Sequence, residues 1–261
     1  MTKLMGVVNV TPDSFSDGGL FLDPEAAIAH GRELAAAGAE ILDVGGESTR
    51  PGAEQVPAEE ELQRVVPVVR GLVNLDCQIS VDTSKAVVAA AALEAGAGIV
   101  NDVTALRGDP EMAGLCAARG ATVVLMHMRG DPQTMQDDPR YDDVVGEVKA
   151  FLAERLQAAT AAGIAEDRVW LDPGIGFGKT AAHNMELLRR LAELREPGRP
   201  LVIGTSRKSF IGKVDGSAAG ERLGGTIASS VLAAAEGAEV LRVHDVAEMR
   251  QALAVASAIL G

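Results

Sequence analysis

The sequence predicts an α/β fold, an eight-stranded parallel (β/α)8 barrel of the TIM-barrel class, formed as a single domain over residues 1–261. Short runs of β-branched apolar residues recur along the chain, and a stretch with helix signals follows each of them. One strand and one helix together take about 33 residues, the size of a βαβ module. Each run ends in a polar cluster, and a barrel gathers all strand carboxyl ends on one face, where its active site is built.

The predicted strands are defined by these apolar runs. They are Leu4–Val10, Glu40–Val44, Gln78–Val81, Gly98–Val100, Thr122–Met126, Arg168–Leu171, Leu201–Ile203 and Glu239–Val243. A doubly wound open sheet fits less well, because it places its ligand at one switch point, whereas here polar residues follow every strand.

The predicted helices begin at proline or acidic residues and mostly end at glycine. Pro24 lies at the start of the first and Gly38 closes it, while Pro57 precedes three glutamates at the positive end of the second helix dipole. The helices are predicted over Glu25–Ala37, the stretch from Pro57, Lys85–Ala95, Pro110–Arg119, Tyr141–Ala162, Ala181–Leu194, Glu221–Glu236 and Asp245–Leu260.

Composition limits the classes of function. The net charge of −13 argues against a nucleic-acid partner or an anionic membrane surface, because both need clustered Lys and Arg. Cys77 and Cys116 show neither metal-ligand spacing nor a disulfide framework, so reduced core thiols are expected. The first strand begins too early for a signal segment, and no apolar run reaches membrane-spanning length, so a cytoplasmic enzyme is expected.

The glycine-rich stretch Gly174–Thr180 resembles a nucleotide-binding loop but fails both motifs. A P-loop requires glycine where Pro173 stands, and the dinucleotide fingerprint lacks one of its glycines. The stretch also follows the sixth strand, whereas a dinucleotide loop follows the first. We therefore expect these glycines to let the backbone turn tightly beside a flat ligand.

Two of the four histidines lie at strand ends. Arg242 and His244 are two residues apart at the end of the eighth strand, so their side chains point to the same side. Barrels often bind phosphate after strands seven and eight, which makes this pair a predicted anion site. For His127, after the fifth strand, a site role and a structural hydrogen bond remain equally open, and His30 and His183 are expected on helix surfaces.

Eight blocks of sequence together resemble the dihydropteroate synthase family and occur in its order from end to end of the chain. They are Asn9–Gly19, Asp43–Gly52, Asp82–Lys85, Asn101–Asp102, Met126–Met128, Asp172–Lys179, Ser206–Phe210 and Arg242–Val246. The resemblance implies a folate-pathway transferase that joins 6-hydroxymethyl-7,8-dihydropterin pyrophosphate to 4-aminobenzoate, with dissociative, SN1-like release of pyrophosphate. It also implies Mg²⁺ and a homodimer built from late helices.

The resemblance assigns a pterin site at the base of the barrel mouth. Asp82, Asn101 and Asp172 would face the amino and N–H groups of the ring, with Lys208 beside it. Such carboxylates stay ionised when buried only if they are paired or hydrogen-bonded. Met126 and Phe177 would form apolar walls of this site, and Ser209 would lie near the carboxylate of the aminobenzoate.

The resemblance assigns the pyrophosphate to a cationic site and the aminobenzoate to two lids. Asn9 would bind Mg²⁺, and Arg242 and His244 would stabilise the leaving group. The lids are Thr11–Gly19 and Gly46–Gly52, polar segments longer than a simple βα turn. Within them, Phe15 and Pro51 would form the apolar wall around the aminobenzoate ring, and Thr49 and Arg50 would contact the substrates. Asp17 would stabilise the cationic intermediate. Because the sequence around Phe15 is unaltered, the resemblance also implies sensitivity to sulfonamide inhibitors.

Two other functions remain to be weighed. A methyltetrahydrofolate corrinoid methyltransferase shares the pterin-holding residues but has no use for the first lid or the Arg-x-His pair. A non-catalytic pterin-binding paralogue would be expected to lose Asn9, Lys208 or lid residues, and all of these are present.

Overall fold

A computed structural model describes residues 2–11, 23–50, 52–131 and 134–260 of the chain. Within them, eight strands form one parallel sheet in the order β6-β5-β4-β3-β2-β1-β8-β7. The strands are β1 (Lys3–Asn9), β2 (Ile41–Gly45), β3 (Gln78–Asp82), β4 (Ile99–Asp102), β5 (Thr122–Met126), β6 (Val169–Asp172), β7 (Val202–Ile203) and β8 (Val240–Val243). The two ends of the sheet meet where Leu171 pairs with Leu201, and the N–H of Leu171 donates to the Pro200 carbonyl at 2.9 Å. The sheet therefore closes, and the predicted barrel is confirmed.

The helices alternate with the strands and pack around the barrel. They are α1 (Pro24–Ala37), α2 (Ala58–Leu72), α3 (Ala86–Glu94), α4 (Met112–Arg119), α5 (Val144–Ala161), α6 (Ala181–Arg189), α7 (Ser209–Asp215), α8 (Leu223–Ala235) and α9 (Val246–Leu260). The Asp23 side chain caps α1 by accepting from the Glu25 N–H at 3.0 Å, and Gly38 ends it at a φ of 108°.

Most helix bounds lie within two residues of the predictions, and three differences are larger. The predicted helix Ala181–Leu194 ends at Arg189 and continues as a 3₁₀ turn over Leu191–Arg195. The fifth helix begins at Val144, three residues after the predicted start. The short helix α7 was not predicted from the sequence. It lies between β7 and α8, so the seventh unit contains two helices.

Alternation along the strands separates two kinds of core. Outward side chains such as Val8, Leu42 and Val81 pack against the helices in the main hydrophobic cluster. Inward side chains at the amino end of the barrel form a second apolar cluster, and it consists of Met5, Ile41, Ile99, Val124, Val202 and Val240, with Trp170 packed against it. This apolar layer closes the barrel from below and leaves the next inward positions for polar residues.

Candidate active site

Polar side chains occupy the inward positions directly above the apolar layer. Sheet register places Asp82 opposite Asn101, and Asp172 opposite Met126, on neighbouring strands. Because paired residues of parallel strands point to the same side, these groups all face the barrel axis. We call this set the polar layer; it consists of Asp43, Asp82, Asn101, Asp172 and Arg242, of which the first four are buried.

Arg242 connects both sides of the polar layer. Its Nε donates to Asp43 Oδ2 at 2.6 Å and its Nη2 donates to Asp82 Oδ2 at 2.9 Å. Asp43 Oδ2 also accepts from Asn101 Nδ2 at 3.0 Å. Burial favours the neutral guanidinium, but Asp43 and Asp82 outweigh it and raise the pKa of Arg242, so the side chain stays charged. N–H groups not used by the two carboxylates remain available to an anion.

Asp43 is the functional residue that the sequence analysis missed. Its side chain is fully buried, and its Oδ1 has no partner among the described residues. The signal was present, since a carboxylate in the middle of the apolar strand β2 must find a charged or hydrogen-bonding partner. Its partners Asn101 and Arg242 are both predicted site residues, so Asp43 fixes the predicted pterin side and the predicted anion side relative to each other.

Burial controls the protonation of the two other carboxylates. It raises the pKa of Asp82 to about 7, with Arg242 opposing the rise and Asp43 and Glu61 adding to it. Burial also raises the pKa of Asp172, against the opposing charge of Lys208. One oxygen of Asp172 accepts from the Gly174 N–H at 2.6 Å, so this carboxylate also holds the turn after β6. A ligand that brings N–H donors would stabilise both in the charged form.

Lys208 follows β7 and lies beside the turn after β6, close enough to Asp172 for their charges to interact. Burial lowers its pKa to about 8, with Asp172 opposing the shift. Its Nζ donates to the Ile175 carbonyl and stands 4.6 Å from the centre of the Phe177 ring. Phe177 in turn packs on the cluster that contains Met126 and Met128, so the predicted apolar walls do flank the polar layer.

Arginines surround His244 on the predicted anion side of the site. Burial, together with Arg207, Arg242 and Arg50, lowers the pKa of His244 to about 3. His244 is therefore a neutral hydrogen-bonding group in the free protein, and its Nδ1 lies 2.9 Å from Ser206 Oγ. Charge at this end comes from the arginines, and the bond to Ser206 fixes the orientation of the imidazole ring.

Of the two roles left open for His127, a site role and a structural hydrogen bond, the structure supports the structural one. The ring is buried, and its Nδ1 lies 2.8 Å from Lys179 Nζ. Lys179 also donates to the carbonyls of Gly174 and Phe177, each at 2.9 Å. Burial lowers the pKa of both groups, that of His127 to about 2. The His127–Lys179 pair therefore supports the loop that carries Phe177.

The other histidines are less exposed than expected. His30 lines a cavity of about 250 Å³ beside Arg207 and His244. His183 caps α6 together with Thr180 and packs edge-on against Tyr141 at 5.0 Å between ring centres. Both therefore have structural surroundings and are not simple helix-surface residues.

The remaining predicted residues lie at the rim or beyond the described chain. Thr49 lines a cavity of about 280 Å³ with Asp82 and Met128, while Arg50 and Ser209 are exposed. Phe15, Asp17 and Pro51 lie outside the described residues.

Asn9 is the predicted metal ligand and fits one kind of metal site. Its carboxamide lies beside Gly45, at the edge of the polar layer. No group of three or more His, Cys, Asp or Glu in the described parts of the chain is arranged to hold a metal ion. One protein oxygen suits Mg²⁺, which keeps several waters and takes its other ligands from substrate phosphates. The donor set therefore fits a magnesium ion that arrives with its substrate.

Comparison with known proteins gives one consistent result. The family model described as pterin-binding enzyme matches residues 5–244. The chain is 48% identical to the dihydropteroate synthase of Escherichia coli over 258 residues, which covers 98% of this chain and 91% of that protein. The structure superposes on Yersinia pestis dihydropteroate synthase in complex with a sulfonamide drug with a TM-score of 0.96 and 45% identity, covering 99% of this chain and 94% of that one. For the Xanthomonas albilineans enzyme with 7,8-dihydropteroate, the TM-score is 0.89 and the identity 48%, covering 100% and 94%.

Proposed function

This chain belongs to the dihydropteroate synthase family of pterin-binding enzymes, and from that membership we propose how its barrel mouth carries out the family's reaction. The chain is a transferase of folate biosynthesis that condenses 6-hydroxymethyl-7,8-dihydropterin pyrophosphate with 4-aminobenzoate to give 7,8-dihydropteroate and pyrophosphate. The site assignment rests on the polar layer, in which carboxylates, an amide and the charged Arg242 lie together at the mouth of the barrel.

The pterin lies on the acidic half of the layer in this proposal. Asp82 and Asp172 accept from the ring amino and N–H donors, and Asn101, fixed by Asp43, offers its carbonyl oxygen or amide to the same ring. Lys208 lies beside the ring, and Phe177 and Met126 cover its flat faces. The ring donors replace water as partners of the buried carboxylates, which favours their ionised form.

The pyrophosphate lies on the cationic half. When its bond to the exocyclic carbon breaks, both bonding electrons leave with the pyrophosphate oxygen, and negative charge grows there. Arg242 is already oriented by two carboxylates, so it stabilises this charge without having to reorganise. In the neutral imidazole of His244, Nδ1 accepts from the Ser206 hydroxyl, so Nε2 carries the ring proton and donates its N–H to the pyrophosphate. Arg50 and Thr49 close the site from the rim.

Asn9 is proposed as the protein ligand of Mg²⁺, which when bound adds positive charge at the phosphate oxygens. The amine of 4-aminobenzoate then attacks the exocyclic carbon, and its extra proton is lost to solvent or to the departing pyrophosphate. Ser209, the first residue of α7, and the lid residues Phe15, Asp17 and Pro51 are assigned to the aminobenzoate and the cationic intermediate by resemblance. Sulfonamides are proposed to occupy this same aminobenzoate pocket, supported by the Yersinia pestis complex.

Two further properties are part of the proposal. A homodimer is supported by exposed apolar residues concentrated on α8 and α9, among them Leu232, Val255 and Ile259. A cytoplasmic location is supported by unpaired Cys77 and Cys116, the latter buried. Within the described residues, no helix has the length and apolar character needed to cross a membrane.

A direct assay tests the function. The purified protein is incubated with the pterin pyrophosphate, 4-aminobenzoate and Mg²⁺, and dihydropteroate and pyrophosphate are measured. We expect both products in equal amounts, and loss of both after EDTA treatment with recovery on adding Mg²⁺. Absence of dihydropteroate would reject the synthase function, and full activity in EDTA would reject the metal. Transfer of a methyl group from methyltetrahydrofolate would favour the methyltransferase instead.

A further inference from the structure

A group of three charged side chains, one fully buried and two partly buried, lies at the base of the second lid. Lys85 Nζ donates to Glu47 Oε2 and to Glu61 Oε2. The Glu61 side chain is 1% exposed, and those of Glu47 and Lys85 are 19% and 24% exposed. We call these three residues the Lys85 cluster. Buried charges of this kind persist only when each is paired, so the cluster ties together the segments that supply them.

Glu47 connects the start of the second lid to the segment that follows the lid. Glu47 follows β2, and its Oε2 also accepts from the backbone N–H of Val56 at 2.9 Å. This contact closes the segment 47–56 into a loop whose ends lie on the same carboxylate. Lys85, at the start of α3, donates to that carboxylate, and it also donates to Glu61 of α2.

A second contact fixes the start of the same loop. Arg64 of α2 donates from Nη1 to the Gly46 carbonyl at 2.7 Å. Gly46 also packs directly on α2, since an added Cβ would lie 2.8 Å from Val65 Cγ2 and 3.0 Å from Glu61 Cγ. These contacts bind the base of the lid to α2 and to the start of α3. Thr49 and Arg50 lie between the fixed points.

We propose that Lys85 and Glu47 are positioning residues for the aminobenzoate pocket. Glu47 and Glu61 line the cavity of about 280 Å³ whose other walls include Thr49 on the lid and Thr83 and Met128 on the barrel rim. The Lys85 cluster therefore sets where the lid stands over the barrel before the second substrate binds. A lid whose base is already held in place loses less conformational freedom on binding, so the second substrate binds more tightly.

This inference rests on the proposed function and concerns only its second substrate. The proposed pterin contacts are Asp82, Asn101 and Asp172. Asp82 lines the same cavity, but among the described residues none of the three is hydrogen-bonded to Glu47 or Lys85. Substitutions in the Lys85 cluster should therefore raise the KM for 4-aminobenzoate and leave the Kd of the pterin pyrophosphate nearly unchanged.

Glu47→Ala is the deciding variant. It removes the lid's carboxylate but leaves the Lys85–Glu61 pair between α2 and α3, so the barrel should fold. We expect the KM for 4-aminobenzoate to rise about tenfold, as for loss of one charge-assisted hydrogen bond. The Kd of the pterin pyrophosphate, measured without aminobenzoate, should change less than about twofold. Hydrogen exchange of the segment containing Val56 should become faster, which a purely structural role elsewhere would not produce.

Two further variants complete the test. Lys85→Met, alone and combined with Glu47→Ala, should raise the same KM without adding to the effect of Glu47→Ala, because the two residues act through one contact. Lys149→Met breaks an exposed pair with Glu196 on the far side of the barrel and should leave the KM unchanged. The proposal is wrong if Glu47→Ala leaves the aminobenzoate KM unaltered, or if it raises the pterin Kd as much. Failure of the synthase function itself would show differently, as a wild-type protein that makes no dihydropteroate.

Discussion

Arg242 joins two carboxylates that lie far apart in the chain. Asp43 precedes it by 199 positions and Asp82 by 160. Removal of the guanidinium would leave Asp43, fully buried, and Asp82 without their cation, and like charges would then face each other. The residue thus has two roles, one towards the pyrophosphate and one in the fold.

Arg242→Ala should therefore affect both activity and stability. We expect the turnover to fall by about 10² or more, as for loss of one transition-state charge partner. The free energy of unfolding should also fall, by about 3 kcal/mol, as when a buried ion pair loses one member. Activity and urea denaturation of the same preparation check this, at a temperature where the variant is folded. Near-normal turnover in the folded variant would remove Arg242 from the mechanism.

His244 should remain neutral over the physiological pH range in the free protein. Its folded-state pKa of about 3 lies below the ordinary value of 6.5, so the unfolded chain takes up a proton first as the pH falls. This residue therefore lowers the free energy of unfolding progressively between pH 6.5 and 3. NMR titration of the His244 ring, assigned with His244→Asn, should show no protonation between pH 5 and 8. Bound pyrophosphate should raise the pKa, and a midpoint near 6.5 in the free protein would contradict this assignment.

At the scale of elements, the strands were easier to predict than the helices. Thr122–Met126 was predicted to the residue, because a buried parallel strand is a continuous apolar run with polar residues on either side. Helix α7 was not predicted, since its seven residues contain Gly212 and only Phe210 and Ile211 are buried. So short a helix shows no clear periodicity, and its place depends on packing against the barrel.

The loop after β6 shows that its glycines serve the barrel more than the ligand. Gly174 has a φ of 66°, and an added Cβ would lie 1.9 Å from the His127 carbonyl oxygen. Gly178 approaches the Arg129 carbonyl in the same way, and only Gly176 lies against the site residue Lys208. The expectation of a tight turn was right, but its main neighbour is the backbone after β5.

Gly174→Ala should displace this loop together with Phe177. The matched control is Gly120→Ala, where φ is 60° and an added Cβ meets nothing within 4 Å. Both variants bear the same left-handed strain, so their difference isolates the clash with His127, which we expect to cost about 1–3 kcal/mol. Urea denaturation measures the difference, and pterin affinity should fall for Gly174→Ala alone. Equal stability of the two variants would show that the loop moves away from the His127 carbonyl at no cost in free energy.

At the scale of the whole molecule, the sequence could predict the location of the site but not its internal pairing. Strand carboxyl ends gather at one face in any barrel, so Asp82, Asn101, Asp172 and Arg242 were expected together before their distances were known. The pairs of Asp43 with Arg242 and of Lys85 with Glu47 depend on side-chain positions brought together by closure of the sheet. Local sequence signals carry no information about such long-range partners.

The exposed apolar surface of α8 and α9 predicts a dimer that one charge should disrupt. Leu232 is 65% exposed, and Leu232→Glu should convert the protein to monomers, because a buried unpaired carboxylate at an interface is unfavourable. Val87→Glu, at a residue 53% exposed on α3, is the matched control and should leave the dimer intact. Analytical ultracentrifugation distinguishes the species. A wild-type monomer, or a Leu232→Glu dimer, would place the interface elsewhere.

The pterin affinity of Asp172→Asn tests the central assignment, that the polar layer binds the pterin. The amide keeps an oxygen for the Gly174 N–H but presents N–H₂ where the ring also presents donors. One buried group is then left unpaired at about 1–3 kcal/mol, so calorimetric titration with the pterin pyrophosphate should show at least about tenfold weaker binding. The melting temperature of the free variant should stay close to that of the wild type, because the turn contact is preserved. Unchanged pterin affinity, with a melting temperature several degrees lower, would show instead that Asp172 is a structural residue and that the pterin binds elsewhere.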